Sequence, residues 1–122
     1  MTYRMLALAA ALLLVAIVPA FGADVTGKWT ASFETQIGTQ NYTYDFKVDG
    51  EKLTGTAKSQ AGEAKIEEGV IKGDDISFVE NLDFQGQPLK IVYKGKISGD
   101  EIKFTRNVAD MVTEELVAKR AK

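Results

Sequence analysis

The chain of 122 residues contains no cysteine and no histidine, and much enzymology is excluded with them. Ser-His-Asp and Cys-His nucleophiles, zinc sites built from imidazole or thiolate, and dithiol redox chemistry all lack their reagents. The missing thiol also removes disulfides and lipid attachment through a cysteine. An exported chain of this size must then be held by core packing alone, which suits a bacterial envelope compartment better than a disulfide-dense secreted module. Tryptophan occurs once, at Trp29. The apolar run Met5 to Val18 falls short of the roughly 20 residues a membrane helix needs, and the chain turns polar soon after it.

That run still carries an address. It follows Arg4 and precedes the small residues Ala20 and Gly22, the layout of a secretory signal peptide cleaved after one or the other. The expected organisation is a signal peptide over residues 1–22 and one domain over residues 23–122, exported to the periplasm or beyond, with no permanent membrane anchor. About a hundred residues support one core and no second. The leader removes one of the 15 basic residues and none of the 17 acidic ones. The mature chain is therefore mildly acidic, and nucleic acid is not an expected partner.

Beyond the leader the apolar period is two. Trp29, Ala31 and Phe33 alternate with polar residues, as do Tyr42, Tyr44, Phe46 and Val48, then Leu53 and Ala57, Ile76 and Phe78, Leu89, Ile91, Tyr93 and Ile97, and Ile102 and Phe104. This is the pattern of half-buried strands. Seven breaks divide the chain into eight strands. The parity of Ile66 and Ile71 differs, so a bulge is expected near Glu68 and Gly69. The segment after Met111 favours helix by intrinsic propensity; Glu114 to Ala121 is nonetheless read as an eighth strand, because seven strands leave two bare edges and eight close on themselves. The expected fold is all-β, an eight-stranded antiparallel up-and-down barrel, with seven strands plus a C-terminal helix as the alternative.

Three of the breaks repeat one phrase: "VDGEKL" from Val48, "IKGDDI" from Ile71 and "ISGDEI" from Ile97. Each reads as a tight hairpin in which Gly supplies a positive φ. In an up-and-down sheet alternate turns share an end, so the three phrases gather Asp49, Glu51, Asp74, Asp75, Asp100 and Glu101 around one rim. No loop offers the spaced oxygen ligands of a calcium motif, and these acids are read as solubilising tips. No metal, cofactor or catalytic residue is expected.

The opposite end is the expected mouth, carrying four longer turns. By parity Glu80 and Arg106 follow apolar residues inward there, and they are expected to face each other near Tyr93, with Glu80 as the one inward acid. With Phe33, Tyr42, Tyr44 and Phe84 they compose a small-ligand pocket. An eight-stranded barrel is only just wide enough for its own side chains or one small ligand. Two readings follow: a non-enzymatic barrel binding a small amphiphilic or aromatic molecule at its mouth, and a filled barrel that contacts another envelope protein. A carbohydrate-active enzyme is a distant third.

The stretch "TGKW", Thr26 to Trp29, together with Arg120 near the C-terminus, resembles the signature of the calycins, the lipocalin and avidin barrels. "DGEKLTGT", Asp49 to Thr56, is similar to an avidin hairpin, and the Gly-acid phrase resembles that of small exported bacterial barrels. The resemblance implies that Gly27 and Trp29 open the barrel and that Arg120 lies over the indole at a closed floor. Burying such a Trp is worth roughly 4 kcal/mol and the stacked Arg roughly 1. Ala31 stands where the avidin pattern places an Asn, and further tryptophans are missing, so biotin is not implied.

Overall fold

The computed structural model describes residues 24–121, apart from the Phe84 side chain; the signal-peptide expectation for residues 1–22 lies outside the described residues. The chain forms eight strands: β1 (Gly27–Thr35), β2 (Gly38–Asp49), β3 (Lys52–Ser59), β4 (Gly62–Lys72), β5 (Asp75–Phe84), β6 (Gln87–Ser98), β7 (Glu101–Val108) and β8 (Val112–Arg120). Each pairs antiparallel with the next, and β8 returns to β1, closing the barrel. The eighth strand begins two residues earlier than expected, and the C-terminal helix alternative is set aside. Closure decides this segment against its helix propensity: β8 pairs with β7 from Val112 to Lys119 and satisfies an edge that a helix would leave bare.

Alternation sorts the side chains. Trp29, Tyr44, Phe78, Tyr93, Phe104 and Ile102 point into the barrel and are buried, while Lys28, Thr30, Ser32, Lys103, Thr105 and Lys119 point out and are exposed. A polar exterior around an apolar lumen is the reverse of a membrane-spanning barrel. The parity change in β4 is absorbed where the register with β5 shifts between Glu67 and Val70, with Glu68 at φ 52. Ile66 and Ile71 thereby both face inward, and Val70 is turned out.

The three repeated phrases are two-residue hairpins sharing one end. Gly50, Gly73 and Gly99 have φ of 63, 56 and 61, and each is followed by an acid at negative φ, the II′ arrangement matched to strand twist. In each, the carbonyl of that acid accepts a backbone bond from a neighbouring strand end: Glu51 from Ile71, Asp74 from Ile97, Asp100 from Arg120. The recurrence is thus a repeated corner that ties each hairpin tip to the strand beside it. At the other end three turns prove as tight rather than longer, with two residues between paired ends at Thr35–Gly38, Ser59–Gly62 and Phe84–Gln87, and the fourth is longer by one, with three between Val108 and Val112. No long loop overhangs the mouth.

The floor is latched as the calycin resemblance implies. Trp29 is fully buried, and its Nε1 donates to the Val25 carbonyl at 2.8 Å. The Arg120 guanidinium lies 4.6 Å from the indole centroid and donates to the Thr26 and Asp24 carbonyls and to Asp100. Gly27 opens β1 opposite Phe46.

Candidate functional site

Between floor and mouth the lumen is occupied by rings. Tyr44 and Phe46 on β2 touch Phe78 on β5, at centroid distances of 6.1 and 5.7 Å, and Tyr44 lies 6.2 Å from Phe104 on β7. β2 is no neighbour of β5 or β7, so these contacts cross the barrel axis. Phe78 and Tyr93 stack at 4.4 Å and complete the plug. Gly95 makes room for it. A Cβ there would meet the Phe104 ring at 2.6 Å, so only a bare backbone lets that ring lie in place.

Above the plug sits a polar cluster contributed by five strands. Tyr42 on β2 donates to one Glu80 oxygen at 2.9 Å, and Tyr93 on β6 donates to the other at 3.0 Å. Arg106 Nη1 donates to the Tyr93 hydroxyl at 2.7 Å. Tyr44 and Tyr93 hydroxyls stand 3.0 Å apart. Since the one proton of Tyr93 goes to Glu80, Tyr44 is the donor in that pair while Glu80 is ionised. Glu80 and Arg106 therefore communicate through a phenol instead of facing each other directly. The carboxylate that pairs with Arg106 is Glu114 on β8, with Nε and Oε1 2.9 Å apart in a contact too oblique for a hydrogen bond, and with side chains 6% and 11% exposed. The guanidinium also lies over the rings of Phe33 and Tyr42, each at 5.1 Å.

Glu114 corrects the expectation of a single inward acid. Its signal was present: Leu116, Ala118 and Arg120 share its parity, and the short turn before β8 puts it opposite Arg106. Reading the last strand from Glu114 onward placed that acid at an end, where its direction carries no weight. The structure brings Phe33, Tyr42, Tyr44, Glu80, Tyr93 and Arg106 together; the Phe84 side chain lies outside the described part.

Burial dominates the electrostatics. It pushes the Glu80 carboxyl above its usual range, although Arg106 and the two phenol bonds pull the other way. It likewise raises Tyr42, Tyr44 and Tyr93, which remain neutral donors at ordinary pH. Both Glu80 oxygens, the phenols and Arg106 Nη1 are thus bonded to one another, while Arg106 Nε and Glu114 Oε1 meet as an ion pair alone.

The rim acids stand apart from this cluster. Asp75 pairs with Lys96 and Asp100 with Arg120 at the surface, and among the described residues no group of three or more acids is set to hold a metal ion. Compared with protein-family models, curated proteins and solved structures, the chain finds no match.

Proposed function

We propose that this chain is an exported, non-enzymatic, calycin-like barrel that acts as a binding module through its outer surface, its partner being another protein of the cell envelope. The observation that carries this reading is the set of ring contacts across the barrel axis: an interior filled by its own aromatics and capped by a cluster of phenols, carboxylate and guanidinium bonded to one another offers recognition on the outside. Two depressions of about 770 and 600 Å³ lie on that outside, one along β8, β1 and β2 and the other over β2 and β3.

A second reading, a small carboxylated aromatic molecule held near Arg106, draws on one feature. The larger depression reaches Phe33 and Tyr42, two of the rings against the guanidinium. Native mass spectrometry of the protein purified from its own envelope separates the two. A co-purifying protein is the expected result. A co-purifying small mass lost in Arg106→Ala would overturn it in favour of the second reading, and the bare chain alone would overturn both.

A further inference from the structure

The ladder between β1 and β8 differs from its neighbours. It joins Trp29 to Arg120 and Thr30 to Lys119, with one added bond from the Ala121 N–H to the Lys28 carbonyl, and goes no further. Strand alternation identifies the groups left over. Lys28 and Thr30 turn their backbones toward β8, so Ser32 and Glu34 do as well; Lys119 and Ala121 turn theirs toward β1, so Val117 and Glu115 do as well. Continued in register, Ser32 would face Val117 and Glu34 would face Glu115. The second pairing sets two outward carboxylates directly opposite each other, which opposes it.

The mouth half of this seam is also where apolar surface collects. Four large hydrophobic residues are markedly exposed among those described, and three border the seam: Ile37 and Met111 at the hairpin tips on either side, 67% and 78% exposed, and Val117 along the β8 edge. The depression of about 770 Å³ runs along the same line.

Resting on the outer-surface reading above, we propose that the mouth half of the β1–β8 seam docks an extended polypeptide segment that adds to the free edges as a β-strand. Its lysine or arginine faces out between Glu34 and Glu115, and its apolar residues lie toward Ile37 and Met111. Such a strand supplies the backbone donors and acceptors that Ser32, Glu34, Glu115 and Val117 find nowhere else in the sheet. Its cation replaces a like-charge opposition with two attractive contacts. Because the floor pairs and the Arg120 latch lie at the other end, the lips can part without opening the barrel.

The test is a titration of the isotopically labelled protein with an acetylated, amidated peptide alternating valine and threonine around one central lysine, up to about 1 mM. Resonances of Ser32, Glu34, Glu115 and Val117 are expected to shift, with amide exchange on at least one edge slowed roughly ten-fold or more. A backbone N-methylated version of the peptide should not bind, and a version with glutamate at the centre should bind more weakly. Glu115→Lys, which gives Glu34 an opposite partner and lets the seam zip, should stay folded and lose the peptide. No shift with the lysine peptide, or equal binding of the N-methylated one, would overturn the proposal. A Glu115→Lys protein that loses the peptide yet still co-purifies with its envelope partner would sink strand docking alone; absence of any partner would sink the broader reading.

Discussion

Tyr93 holds the mouth cluster together because its one hydroxyl serves three groups: it donates to Glu80 and accepts from Arg106 and Tyr44. Tyr42 donates to Glu80, and among the described residues Arg106 is the one other polar group its hydroxyl interacts with by hydrogen bonding. Removing a hydroxyl that leaves buried partners unsatisfied costs about 1–3 kcal/mol, so Tyr93→Phe should sit at the upper end of that range and Tyr42→Phe near its lower end, measured by urea unfolding. Equal losses would contradict the bridging role. Glu80 makes a prediction in pH. Burial raises its pKa, so the folded state keeps the proton to higher pH than the unfolded chain does. The contribution to stability is complete below the ordinary carboxylate range and declines as pH rises through the raised value. Glu80→Gln has no such proton to lose. Between about pH 4 and pH 8, the wild-type Tm should fall relative to that of the variant; a difference that rises with pH would contradict the raised value. The inward direction of Glu80 and Arg106 was readable from period-two alternation alone. Their partners were not, because which phenol or acid an inward charge meets depends on ring positions across the lumen.

At the level of strands and turns, most of the architecture was legible. Alternation marked the strands, the Gly-acid phrase marked three corners, and mismatched parity marked the bulge at Glu68. Three mouth turns are tighter than their sequence suggests because glutamines and asparagines extend the polar stretch past each turn, while the backbone already pairs at Gly38, Gly62 and Gln87. Gly95 in β6 is the element-scale test of packing. Its φ is not in the positive range, so a substitution there reports space and not backbone strain. With Phe104 already against Tyr44, Phe78 and Tyr93, the ring has nowhere to retreat, and Gly95→Ala should cost about 1–3 kcal/mol by overpacking. The methyl group would also meet the Lys103 carbonyl at 2.9 Å, so an unchanged midpoint of unfolding would mean that ring and neighbouring strand both have room.

For the molecule as a whole, the sequence pattern set the closure and the orientation, with Trp29 and Arg120 at one end and Glu80 and Arg106 at the other. It was silent on how completely β1 and β8 pair, because alternation specifies faces and says nothing about where a ladder stops. The result is a solid barrel zipped at the floor and free along the mouth half of one seam. Residue-resolved amide hydrogen exchange of the unliganded protein tests that description most directly. Tyr93, Phe104, Thr30 and Lys119 should exchange slowly, while Ser32, Glu34, Glu115 and Val117 should exchange fast although they lie inside strands. Uniform slow exchange along β1 and β8 would mean a seam closed end to end, and fast exchange at Tyr93 and Phe104 would mean a lumen that is not packed.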